Sequence, residues 1–244
     1  EGRRERCRAD PRHDAAVRAG PGDGHPHDGL ARALVEHAGR RLAAGENKSV
    51  TYFDALRESN ALAHYLATTC ECGPESTVVL SAPNVLWFPA ILAAVQMCGS
   101  RIALLAPTLP RDEFVRCAGL LNPQVIIMST PEGCAAAAQA FPRSHVLAVG
   151  CPVAPVPLVS EVVARTGYDD SRVFPHIDAA SKIVVFSSGS TGRPKAIVNR
   201  LSSFALNGIA LTRALELSPD DVLFVPVPFI HVFGVVGVFA ALMS

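Results

Sequence analysis

From Leu30 onward the apolar positions of the chain alternate between two patterns. Leu30 to Arg41 and Phe53 to Thr69 carry apolar residues at helical spacing, with Leu56, Leu62 and Leu66 on one stripe of the second segment. Short apolar runs ending in turn residues lie between and after such segments: "TVVLSAPN" (Thr77 to Asn84), "RIALLAP", "QVIIMS", "HVLAVG" and "IVVF" (Ile183 to Phe186). These predict strands. "VLWFPAILAAVQM" is apolar on all sides and predicts a buried helix, with Asn84 as its N-cap, Trp87 in the core and Gly99 as its stop. Asp112 to Leu121, after Pro110, predicts an amphipathic helix, and the Pro-rich "CPVAPVP" predicts a connector. Strands alternating with helices imply an α/β fold with a mostly parallel sheet covered on both faces. No internal repeat interrupts the pattern.

Composition narrows this picture in three ways. At 244 residues and 49% apolar, the chain is long and apolar enough to bury a sizeable core. Its formal net charge is zero, so nothing global directs it to nucleic acid or to an anionic membrane, and any anion site must be local. Residues 1–29 carry six arginines against six acids and almost no large apolar residue, which predicts a disordered leader. Val222 to Met243 is the only stretch apolar for long enough to suggest a membrane span. Pro226, Pro228 and His231 break it into a short strand and a short helix, so no span is expected. Seven scattered cysteines, in an odd number and without zinc-like spacing, suggest a reduced intracellular compartment. The eight histidines show no metal-ligand spacing either.

The candidate chemistry lies in "IVVFSSGSTGRPKAIVNR", Ile183 to Arg200. A buried strand runs into Ser187, Ser188, Ser190 and Thr191, whose hydroxyls stand beside Gly189 and Gly192. Glycines at these places let backbone N–H groups converge on an anion with no Cβ in the way. Arg193 and Lys195 add positive charge and Pro194 stiffens the exit. No acidic residue stands between Asp178 and Glu216, while Lys182, Arg193, Lys195, Arg200 and Arg213 are all basic. A local positive field of this kind suits a polyphosphate. A Walker loop is excluded, because Arg193 and Pro194 separate Gly192 from Lys195 and Ala196 follows the lysine. A solvated Ser/Gly hairpin accounts for the composition of the loop but not for the whole string.

That string, "FSSGSTGRPK", closely resembles the signature loop of the adenylate-forming superfamily, which includes acyl-CoA synthetases, adenylation domains of peptide synthetases and beetle luciferases. Further stretches resemble the same family in the same order: "VTYFDAL", "VVLSAPNVLWFPAILAAVQMCG", "APTLPRDEFVRCAGLLNPQVIIMS" and "VLFVPVPFIHVFG". Two departures stand out. Ala196 replaces the usual glycine after the lysine, and no histidine appears at Asn199–Arg200.

The resemblance implies an α/β fold of layered sheets flanked by helices, over residues 30–244, as part of the large N-terminal domain of such an enzyme. It implies activation of a small-molecule carboxylic acid by ATP and Mg2+ through an acyl-adenylate, with coenzyme A as the expected thiol acceptor. Ser187, Ser188, Gly189, Ser190, Thr191, Gly192, Arg193, Pro194 and Lys195 then cradle the phosphates. His231, which alone among apolar neighbours reads as a core histidine, becomes a catalytic residue beside the acyl pocket. The family's magnesium glutamate, ribose aspartate and C-terminal catalytic lysine have no counterpart here, and no metal ligand is assigned. The expectation is therefore the front part of an acid-thiol ligase of the cytoplasm or peroxisome, inactive by itself. A non-catalytic nucleotide-binding fragment or pseudoenzyme is the alternative. The identity of the acid and the oligomeric state are not legible.

Overall fold

The structure is a computed structural model, which describes Leu34, His37 and residues 39–44, 48–169, 181–187 and 194–244. The leader expected over residues 1–29 lies outside the described residues, as does most of the helix expected over Leu30 to Arg41. The end of that helix is displaced. Arg41–Ala44 is instead a strand, β1, paired antiparallel with β2 (Ser49–Thr51). Backbone pairing across this hairpin outweighs the weak helical pattern of a Gly-containing stretch.

The helix α1 (Tyr52–Thr68) follows directly. Thr51 caps it by accepting from the Asp54 amide, while the Asp54 carboxylate accepts from the Thr51 amide. This reciprocal pair satisfies two of the amides that a helix start leaves orphaned. Next come β3 (Thr77–Ser81), α2 (Phe88–Met97), β4 (Arg101–Leu104), α3 (Arg111–Gly119), β5 (Val125–Met128), α4 (Pro131–Ala140), β6 (His145–Ala148) and α5 (Val159–Thr166). The described remainder holds β7 (Lys182–Ser187), β8 (Lys195–Arg200), α6 (Leu201–Ala214) and α7 (Val232–Met243).

Six strands form one sheet in the order β6-β5-β3-β4-β7-β8, parallel except for β8. Side-chain alternation sorts the core into two layers. Val78, Leu80, Ile102, Leu104, Val125, Ile127, Ile183 and Val185 face α1, α2, α5, α6 and α7. Val79, Ala103, Ile126 and Val184 face the opposite way, toward α3 and α4. The expected parallel, doubly covered sheet is present, and each fully buried Leu or Ile contributes roughly 1.5–3 kcal/mol. Every residue of α2 is buried, as its unbroken apolar sequence predicts. Gly99 ends that helix at φ +69°, a conformation that glycine adopts without a Cβ penalty.

Two sequence expectations fail here. Val222 to Pro226 is not a strand, and Val222 and Phe224 are almost fully exposed, because no described strand pairs with the segment. Asn84 does not cap α2, whose N-cap is Trp87; its side chain is engaged elsewhere. Among the described residues, no helix is long and apolar enough to cross a membrane.

Candidate functional site

The strand-forming residues on either side of the hydroxyl-rich loop create its geometry. Ile183, Val184 and Val185 bury β7 on both faces, and β8 returns antiparallel beside it as the sheet edge. The register sets Ser187 opposite Lys195, at the open end of the β7–β8 pair. Ser187 is half-buried, Pro194 half-buried and Lys195 exposed. Ser188, Gly189, Ser190, Thr191, Gly192 and Arg193 lie outside the described residues. The described flanks thus bring the first hydroxyl and the lysine of the string together. Lys182, Lys195, Arg200 and Arg213 have no ion-pair partner among the described residues.

His231 stands on a separate element. It occupies the N-cap position of α7 with its side chain exposed and making no capping bond. Its amide donates to the Pro228 carbonyl at 3.0 Å, closing a tight turn. Gly234 makes that turn possible, since a Cβ there would run into the Pro228 carbonyl and come within 3.0 Å of Phe229 Cα. Asn84, three residues beyond β3, ties the same segment to the sheet. Its Oδ1 accepts from the Phe229 amide at 2.7 Å and its Nδ2 donates to the Val227 carbonyl at 3.1 Å. Phe88 and Phe229 then pack with ring centroids 5.0 Å apart.

The consequence is topological. Asn84 follows the carboxyl end of β3 and Ser187 closes the carboxyl end of β7, with only β4 between those strands. At about 4.8 Å per strand, β3 and β7 are about 10 Å apart, so the anchor of the His231 segment and Ser187 lie along the same carboxyl edge of the sheet. In open parallel sheets, ligands bind outside this edge. Sequence reasoning missed Asn84 and Gly234. The Pro-Asn pair after a strand was the available signal, but it read as a helix cap.

Four of the described cysteines are poorly suited to thiol chemistry. Burial pushes the thiols of Cys70 and Cys98 up to about 12 and those of Cys72 and Cys134 up to about 11, which keeps them protonated and inert near neutral pH. Among the described residues, no group of three or more His, Cys, Asp or Glu could hold a metal ion.

Comparison with known proteins agrees over nearly the whole chain. The family described as "AMP-binding enzyme" matches residues 30–244. A nonribosomal peptide synthetase of Emericella nidulans is 23% identical over 80% of this chain and 11% of its own length. An acyl-CoA synthetase of Gibberella moniliformis is 26% identical over 81% of this chain and 38% of its own. The apo structure of Mycobacterium smegmatis MbtA superposes with a TM-score of 0.78 at 21% identity, covering 95% of this chain and 45% of that one. The O-succinylbenzoate coenzyme A synthetase of Bacillus subtilis, solved with ATP and magnesium, gives 0.71 at 14% identity, covering 88% and 54%. The chain therefore spans a small fraction to about half of the proteins it matches.

Proposed function

The chain belongs to the AMP-binding enzyme family, and from that premise we propose that its parent protein activates a small carboxylic acid with ATP, forming an acyl-adenylate and pyrophosphate. One observation supports the reading beyond membership: Ser187 and Lys195, the described ends of the basic, hydroxyl-rich string, pair at the carboxyl edge of the sheet where the His231 turn is anchored.

In this reading the carboxylate attacks the α-phosphorus of ATP, a P–O bond forms, and the bond to pyrophosphate breaks. Negative charge accumulates on the transferring group and on the leaving group, so donors aimed in advance are what the protein must supply. The loop from Ser187 to Lys195 holds the β- and γ-phosphates through its N–H groups and hydroxyls, and Lys195 neutralises them. A flexible ammonium suits this task, because it follows a moving charge without imposing a shape. His231, held by the Asn84 and Gly234 turn, positions the carboxylate, and its neighbours Phe229 and Phe233 form part of the acyl wall.

Mg2+, which the family implies, supplies charge neutralisation on the phosphates when bound. The described residues include no acidic cluster for it, so its ligands are not assigned to this chain and no step is routed through it. Transfer of the acyl group to the thiol of coenzyme A follows adenylation in our reading, and makes the parent an acid-thiol ligase. The test is acid-dependent ATP–pyrophosphate exchange by the parent protein over a panel of fatty, aryl and amino acids, repeated with coenzyme A to detect thioester. Exchange with at least one acid is expected. Its absence with all of them contradicts the activity, and exchange without thioester contradicts the acceptor alone.

A further inference from the structure

Two backbone edges of the molecule lie open, and neither serves the proposed reaction. The first is β8, the last strand of the six-stranded sheet. The Leu201 amide donates to the Ser181 carbonyl, so positions 181 and 201 form a bonded pair of the antiparallel β7–β8 ladder. Alternation then bonds Asn199, Ile197 and Lys195 to β7 and turns the N–H and C=O groups of Arg200, Val198 and Ala196 outward. These outward groups have no backbone partner among the described residues. Ile197 and Val198, in the middle of the strand, are 44% and 54% exposed.

The second edge is the segment 220–225. Val222 and Phe224 are 96% and 85% exposed while Leu223 and Val225 are half-buried, the alternation of a strand that has one face covered. Among the described residues, the amides of Val222, Leu223, Phe224 and Val225 donate to nothing, and the carbonyls of Val222, Leu223 and Phe224 accept nothing. A row of free N–H and C=O groups is completed by one kind of partner, another extended backbone.

Charge decides which backbone. Lys195 and Arg200 stand at the two ends of β8, with Lys182 opposite Arg200, whereas Asp220 and Asp221 open the second segment. The Asp220 carboxylate remains 95% exposed even while it pairs with Arg40. Antiparallel pairing of β8 with another β8 sets Lys195 against Arg200, a like-charge contact that destabilises a ladder. Pairing of two 220–225 segments gains no charge pair.

We infer that the two edges fit each other and that a second copy of this chain is the occupant of each: residues 220–225 of one copy add antiparallel to β8 of the next. In that register Val222 and Phe224 exchange backbone bonds with Val198 and Ala196, Leu223 stands opposite Ile197, and Asp220 stands opposite Arg200. The two surfaces differ, so the contact runs head to tail and builds open chains rather than a closed dimer. Its area is small, which makes the association weak and dependent on concentration. The proposal does not rest on the adenylation reading, and its test needs no catalysis.

The test is sedimentation equilibrium of the chain from low to high micromolar concentration. The mean mass should rise with concentration and pass that of a dimer without a plateau. Val198→Pro removes an outward N–H and no ladder bond, which an edge strand tolerates, and Phe224→Pro removes a free amide of the other edge. Each variant alone should stay monomeric. Mixed in equal amounts, they should form a one-to-one dimer and nothing larger, since each supplies the edge that the other lacks. Arg200→Glu, at an exposed side chain with no bonded partner among the described residues, should weaken association of the otherwise wild-type chain about tenfold. Circular dichroism identifies the folded variants, and Arg200→Glu decides alone should a proline variant unfold. A monomer at every concentration overturns the inference, as does a plateau at the dimer. So do two folded proline variants that fail to associate when mixed, or an Arg200→Glu chain that associates like the wild type.

Discussion

Replacing Asn84 by alanine isolates the contact that holds the His231 turn against the sheet. Two bonds of good length are lost, from the Phe229 amide at 2.7 Å and to the Val227 carbonyl at 3.1 Å; a third, to Val225 at 3.5 Å, is too long to count. Each is a neutral bond at an exposed site, worth about 0.5–1 kcal/mol, so Asn84→Ala should cost about 1–2 kcal/mol. For a chain of this size that lowers Tm by roughly 2–8 °C. The local effect is more diagnostic, since the Phe229 amide loses its acceptor and should exchange faster with solvent while amides in β3 stay protected. Asn84→Asp sharpens the argument. It keeps an acceptor for Phe229 but replaces the donor facing the Val227 carbonyl with an oxygen, so it should be no more stable than the alanine variant at neutral pH. Hydrogen exchange followed by mass spectrometry over residues 222–233, with denaturant unfolding alongside, provides the measurement. Wild-type protection of Phe229 in both variants would refute the strut.

Gly234→Ala should cost about 1–3 kcal/mol, because the new Cβ must displace the Pro228–Phe229 backbone; an unchanged Tm would show that the turn has slack. Burial, with the Asp54 charge behind it, pushes the Glu58 carboxyl up to about 7 from 4.5. The fold thus favours the protonated form, so this group's contribution to stability is fully present below about pH 4.5 and is lost as pH rises toward 7. Discounted for its partial exposure to solvent, the effect is about 1–2 kcal/mol, and Glu58→Gln should gain that much on the wild type between pH 4.5 and 8. Parallel denaturant curves for the two proteins across that range would contradict this. Cys70, Cys72 and Cys98, raised to about 11–12, should resist iodoacetamide at pH 8 until the protein is unfolded; rapid labelling of the native state would mean that their burial is wrong.

Elements whose local pattern agrees with their packing were legible in the chain alone. The runs around Val79, Ile102, Ile126 and Leu147 are strands, and Leu56, Leu62 and Leu66 mark a helix stripe, because burial on both faces leaves an unbroken apolar signature. The helix α4 escaped notice because an alanine run has little apolar contrast, although Thr130 and Pro131 mark its start. The helix α6 packs its Gly208 against Phe239 and Ala240 of α7, a contact that no local pattern announces. Asn84 shows the same limit. Its preference for helix caps is local, whereas its partners lie more than 140 positions away. For the site, the loop composition pointed to the proposed phosphate chemistry, but the pairing of Ser187 with Lys195 depends on β8 returning along β7. The exposed Ile197 and Val198 of that edge strand gave no sign of it.

The central claim is that the hairpin loop closed by Ser187 and Lys195 binds the phosphates of ATP during carboxylate activation. ATP–pyrophosphate exchange by the parent protein carrying Lys195→Ala, at saturating acid and varied ATP, tests it most directly. Loss of a charge-assisted contact worth roughly 1.5–3 kcal/mol predicts exchange slowed about ten- to a hundred-fold, at about 1.4 kcal/mol per decade, with the dependence on the acid little changed. Exchange at the wild-type rate, with the same dependence on ATP, would contradict it.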